Sequence, residues 1–104
     1  MEDLKKKIGE IVKSHKIVVF MKGIPEAPRC GFSAKAVGVL QTLNEPIHAV
    51  DVLADEPLWG ALEEYANWPT VPQVFINGEF VGGCDIVSEL HERGELQKLI
   101  AKKA

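Results

Sequence analysis

Ile17-Val18-Val19-Phe20-Met21 is an unbroken run of five apolar residues. A run this short and this apolar suits a β-strand buried on both faces. Such a strand needs cover above and below, so the flanking segments must supply two layers. Leu4, Ile8, Ile11 and Val12 recur at helical spacing, which predicts an amphipathic helix over residues 2–14. After the run comes a loop containing Pro25 and Pro28. Phe32, Ala36, Val39, Leu40 and Leu43 then mark a second helix that begins after Cys30. Residues 47–52 read as another strand.

Asp55 is placed to cap a third helix, with Pro57 in the first turn, where a missing N–H costs nothing. Leu58, Ala61, Leu62 and Tyr65 form its apolar stripe, and Trp68-Pro69 ends it. Gln73–Ile76 and Glu79–Gly82 flank Asn77-Gly78, the strongest short signal for a hairpin. Two short helices follow, separated by Gly94. The order is α-β-α-β-α-β-β-α-α. The β-α-β unit requires a parallel pair with a right-handed crossover, and the hairpin an antiparallel pair. The expected class is α/β: a thioredoxin-like fold, with a four-stranded mixed sheet flanked by about five helices.

The 104 residues suffice for one domain, read as 1–104. Net charge is −3, where a nucleic-acid binder would carry a basic surplus. The runs Lys5-Lys6-Lys7 and Lys102-Lys103 read as solvated helix faces. No apolar stretch reaches the roughly 18 residues of a membrane span. The N-terminus has no apolar signal core and carries Glu2 and Asp3, unlike a transit peptide, so the chain reads as cytoplasmic; a processed organellar form would read the same. Cys30 and Cys84 are the two cysteines. They form no CxxC, and a structural disulfide between them is not expected in a reducing compartment.

Three segments carry chemistry. Pro28-Arg29-Cys30-Gly31-Phe32-Ser33 leaves a buried strand and enters a helix. Cys30 therefore sits at a helix N-terminus, where N–H groups and the dipole stabilise a thiolate. Arg29 and Lys22 can add positive charge. Ser33 stands where a CxxC motif would place its resolving cysteine, and serine cannot close a disulfide. In Trp68-Pro69-Thr70-Val71-Pro72, a cis proline before the hairpin strand would leave the Val71 backbone free to pair with an extended peptide. In Gly82-Gly83-Cys84-Asp85, two glycines allow close approach of a ligand. The helix start there offers N–H groups to a carboxylate, and Asp85 can accept from an ammonium. The competing readings are a buried structural cysteine, an ordinary two-proline loop, and a Gly-rich turn with Asp85 as a plain N-cap.

These residues together resemble the monothiol glutaredoxins. The matching segments are Met21-Lys22-Gly23, Cys30-Gly31-Phe32-Ser33, Tyr65-Ala66-Asn67-Trp68-Pro69-Thr70-Val71-Pro72-Gln73, Asn77-Gly78-Glu79 and Val81-Gly82-Gly83-Cys84-Asp85. The resemblance implies glutathione as ligand: Lys22 at the glycyl carboxylate, Val71 along the tripeptide backbone, Cys84 and Asp85 at the γ-glutamyl end. It also implies a [2Fe-2S] cluster shared by two subunits, with Cys30 as metal ligand and catalytic thiol. BolA-like proteins and apo iron–sulfur proteins are the implied partners. The ligand arithmetic agrees: such a cluster takes four ligands, and two chains with two glutathiones supply four thiolates.

One position departs from the family pattern. An Arg usually assists Lys22 early in the third helix, and Trp59 stands there instead. Losing a charge-assisted contact costs about 1.5–3 kcal/mol if nothing substitutes, so weaker glutathione binding is expected unless another cation serves. The alternative function is glutathione-dependent reduction of protein mixed disulfides through Cys30 alone. An interaction module without cofactor would be indifferent to Cys30→Ser. The spacing of His15, His48 and His91 fits no chelating motif. A Cys30–Cys84 disulfide under oxidation is an open possibility that peptide mapping decides.

Overall fold

The computed structural model describes residues 2–101, so the Lys102-Lys103 run lies outside the described residues. The chain runs α1 (Glu2–Ser14), β1 (Ile17–Met21), β2 (Gly23–Ile24), β3 (Ala27–Pro28), α2 (Gly31–Gln41), β4 (Ile47–Asp51), a 3-10 turn (Val52–Ala54), α3 (Glu56–Ala66), β5 (Gln73–Ile76), β6 (Glu79–Gly82), α4 (Cys84–Glu92) and α5 (Glu95–Ala101).

Strand β1 is buried at every residue and lies inside a sheet of order β4-β1-β5-β6. It pairs parallel with β4, Ile17 opposite Ile47, and antiparallel with β5, Ile17 opposite Ile76. Its side chains alternate between two cores. Val18 and Phe20 join Ile8 and Val12 of α1, Leu58 and Leu62 of α3, and Phe75. Ile17, Val19 and Met21 join Val37 and Leu40 of α2, Val87 of α4, and Leu96 and Ile100 of α5. Helices α1 and α3 thus cover one face, and α2, α4 and α5 the other. The apolar run thus has the cover on both faces that it requires, and the arrangement is thioredoxin-like.

Local signals act as their chemistry dictates. Asn77 and Gly78 both have positive φ, 54° and 83°, the geometry of a tight hairpin turn between β5 and β6. The Asn77 amide also donates to the Leu99 carbonyl at 2.9 Å, tying the turn to α5. The Asp55 carboxylate accepts the Leu58 N–H at 3.1 Å and caps α3.

Four details differ from the sequence reading. The proline loop contains a small ladder, β2 against β3, too short for any periodicity to announce. Helix α3 ends at Ala66 because Asn67 turns left-handed at φ 52°, before Trp68-Pro69 is reached. The strand expected over 47–52 stops at Asp51, whose carboxylate accepts the Leu53 N–H at 2.9 Å and starts the 3-10 turn. Lys5 is more than a solvated charge: its ammonium lies 3.0 Å from Glu64 and joins α1 to α3.

His15 and His48 stack with ring centroids 4.0 Å apart. Burial, and then the charge of His15, hold His48 below its ordinary value of 6.5. Among the described residues, no three His, Cys, Asp or Glu side chains converge on a metal position, and no helix is long and apolar enough to cross a membrane.

Candidate functional site

The end of β1, the start of α2, the loop before β5 and the start of α4 meet at one end of the sheet's strands. Between them lies a groove of about 430 Å³. Lys22, Cys30, Val71, Cys84 and Asp85 all line it, so residues far apart in sequence share one surface. Arg29 is not among the lining residues. Its backbone N–H donates instead to the Lys22 carbonyl at 2.9 Å.

Cys30 is the N-cap of α2 with extended backbone, φ −150° and ψ 136°. Its sulfur is half-exposed and accepts no formed cap bond, but the N–H dipoles of Ser33 and Phe32 are aimed at it. Those dipoles, Ser33 first, hold the thiol below its ordinary value of 9.0. The Lys22 charge and the Ser33 hydroxyl act in the same direction, and partial burial acts against them. Phe32 beside the sulfur is 63% exposed, so the mouth of the groove is apolar on that side.

Ser33 is fully buried, and its hydroxyl accepts the Lys22 N–H at 3.2 Å. The residue that replaces a second thiol thus ties the start of α2 to the end of β1. The Gly23 N–H donates to Asp51 at 2.9 Å, which anchors the same loop to β4.

On the opposite wall, the Val71–Pro72 peptide bond is cis. Among the described residues, no hydrogen bond occupies the Val71 N–H or carbonyl. Its side chain is buried in the core, so the backbone is what faces the groove. Gln73 holds this wall from beneath. It is fully buried, and its amide donates to the Trp68 and Thr70 carbonyls, both at 3.1 Å. Sequence reasoning missed Gln73; the available signal was one polar residue opening an otherwise apolar strand.

The double glycine is needed by the protein itself. Gly82 has φ +151°, and a Cβ there would lie 2.8 Å from the Ile86 side chain. A Cβ on Gly83 would press the Pro72 carbonyl at 3.3 Å. Gly83, not Asp85, is the N-cap of α4. Asp85 stands in the first turn, exposed. Cys84 is 5% exposed, and both cysteines are free thiols.

Lys22 and Trp59 meet in the same groove. The Lys22 ammonium lies 5.5 Å from the centre of the Trp59 ring, in cation–π range. The Trp59 indole N–H is buried without a partner.

A family model described as glutaredoxin matches residues 17–81. A Synechocystis protein called an uncharacterized monothiol glutaredoxin, ycf64-like, is 48% identical over 94% of this chain and 92% of its own length. Relatives in plant organelles are longer; the chain spans 60% of a rice chloroplast one. The solution structure of reduced poplar apo GrxS14 has TM-score 0.82 and 48% identity, covering 93% of this chain and 89% of that one. The crystal structure of a buckwheat glutaredoxin–glutathione complex has TM-score 0.84 and 27% identity, covering 95% of this chain and 88% of that one.

Proposed function

The chain belongs to the monothiol glutaredoxins, and on that premise we propose that it binds glutathione in this groove and carries a [2Fe-2S] cluster between two subunits for delivery to iron–sulfur apoproteins. The observation that carries the reading is Cys30: a single half-exposed thiol, held toward the thiolate, at the mouth of a peptide-sized groove. A tripeptide fits the groove by charge. Lys22 would take the glycyl carboxylate, the Val71 backbone the middle of the chain, and Asp85 with the Cys84 N–H the γ-glutamyl end. The glutathione-bound buckwheat relative supports this ligand.

The donor set suits a shared cluster. One reachable thiolate per chain cannot complete four ligands. Two chains and two glutathiones can, with Cys30 the protein's own ligand. The cluster is cargo, and what it supplies to a recipient is iron and inorganic sulfide. BolA-like proteins and apo iron–sulfur proteins are the proposed partners, and the cytoplasm the proposed location.

Anaerobic reconstitution with iron and sulfide tests the proposal. A brown dimer is expected when glutathione is present and a colourless chain when it is omitted. Equal colour without glutathione would sink the shared-ligand scheme.

The lowered thiol also favours a second reading, glutathione-dependent reduction of mixed disulfides. The Cys30 thiolate would attack the glutathione sulfur of the substrate's mixed disulfide, forming a Cys30–glutathione disulfide and releasing the substrate thiol; a second glutathione would then attack that bond, forming glutathione disulfide and regenerating the Cys30 thiolate. Fast turnover by a chain that holds no cluster would select this reading.

Gln73→Leu provides a check on the groove wall. It keeps the volume but frees the Trp68 and Thr70 carbonyls. Each lost bond is worth about 1 kcal/mol, so glutathione affinity should fall about fivefold or more. The thermal midpoint should also fall, because the same two bonds stabilise the folded chain, with part of the loss offset by removal of the unpartnered Gln73 Oε1. Calorimetric titration beside a thermal melt reads both; unchanged affinity would contradict the bracing role.

A further inference from the structure

We propose that Trp59 sets the selectivity of the cationic end of the groove, so that γ-glutamylcysteinyl thiols with a C-terminal carboxylate masked as an amide or ester bind nearly as well as the free acid. The inference rests on the glutathione reading above.

Among the residues lining the groove, Lys22 is the one cation and Asp85 the one carboxylate. A ligand with a carboxylate at one end therefore has a single charged partner for it. That partner is already engaged, since the Lys22 ammonium lies 5.5 Å from the centre of the Trp59 ring. Trp59 offers the ligand no donor of its own. Its indole N–H is buried, so what it presents to the groove is ring carbon.

A carboxylate arriving here thus meets one ammonium and an aromatic surface. Strong recognition of a carboxylate comes from paired, planar donors, as in a guanidinium fork. Lysine is a point charge, and a half-exposed ion pair is screened by water and salt. Masking the carboxylate removes that weak pair. The added neutral group gains apolar contact with the indole. The two effects offset, and the site reads the γ-glutamyl end and the thiol more strictly than the C-terminus.

The test titrates the reduced full chain with glutathione and with its glycyl monoethyl ester, for wild type, Trp59→Arg and Trp59→Phe. In wild type the ester should bind no more than about threefold more weakly than the acid, the value of an exposed ion pair. Trp59→Arg should raise that ratio to about tenfold or more by tightening the acid alone. Trp59→Phe keeps a ring, adds no fork, and should stay at the wild-type ratio. A wild-type ratio of tenfold, or an unchanged low ratio in Trp59→Arg, overturns the proposal. If circular dichroism shows Trp59→Arg unfolded, Lys22→Met decides: the acid should lose its advantage so that the acid-to-ester ratio falls to about one, and a ratio that stays near threefold overturns the proposal. Failure of both ligands to bind wild type is a different result, and it removes the glutathione reading itself.

Discussion

Cys30→Ser is expected to abolish cluster retention and glutathione exchange together while leaving the fold in place. In the proposed function the Cys30 thiolate is the nucleophile and the metal ligand, and a serine hydroxyl does not ionise at neutral pH. The other cysteine, Cys84, is no substitute, being 5% exposed at the start of α4. Exchange rates should fall at least about a hundredfold. Anaerobic reconstitution should give no brown colour, and sedimentation only monomer. Because Cys30 is half-exposed, the thermal midpoint should barely change. Cys84→Ser should still develop colour. Full colour in Cys30→Ser would remove the proposed function.

The same residue carries a pH signature. Cys30 is held below 9.0 by the Ser33 and Phe32 N–H dipoles first and by Lys22 after them. Its alkylation rate should therefore remain high at pH values where an ordinary thiol is protonated. It should decline only as pH falls through the lowered value. An inflection at or above pH 9.0 would contradict this electrostatic account.

Phe20→Ala is expected to cause the largest loss of stability, about 3–5 kcal/mol. Phe20 is fully buried near the end of β1 and meets Phe75 edge to face with centroids 5.6 Å apart. Phe75 meets Phe80 at 5.4 Å, and Phe80 meets Trp68 at 5.6 Å. The gap would therefore open at the head of an aromatic chain that ends in the groove wall. A domain of this size holds about 5–15 kcal/mol in total, so a large share is at stake. At about 4–8 °C per kcal/mol, the melting temperature should drop by well over 10 °C. Urea unfolding measures it directly. A loss below about 1 kcal/mol would mean that the layer between the sheet and α1 and α3 is not tightly packed.

Much of the fold was legible because its signals are local. The apolar run at Ile17–Met21 implies cover on two faces wherever it is placed. Asn77-Gly78 selects its turn through backbone sterics, and Asp55 its cap through a bond three residues away. The short β2–β3 ladder was not legible, since two residues a side carry no period. The bracing role of Gln73 was not legible, since its partners, Trp68 and Thr70, are set by how that loop folds back. The double glycine at 82 and 83 is legible as a close approach, but packing against Ile86 and Pro72 is what requires it.

The sequence by itself determined the elements, their order and the thiol at a helix start, because each depends on neighbours a few residues apart. Only the tertiary structure decided that Lys22, Cys30, Val71 and Asp85 share one groove, and that the Lys22 ammonium rests against Trp59 with the indole N–H turned inward. Those outcomes depend on distances across space between residues remote in the chain, and packing of the two helical layers on the sheet sets them.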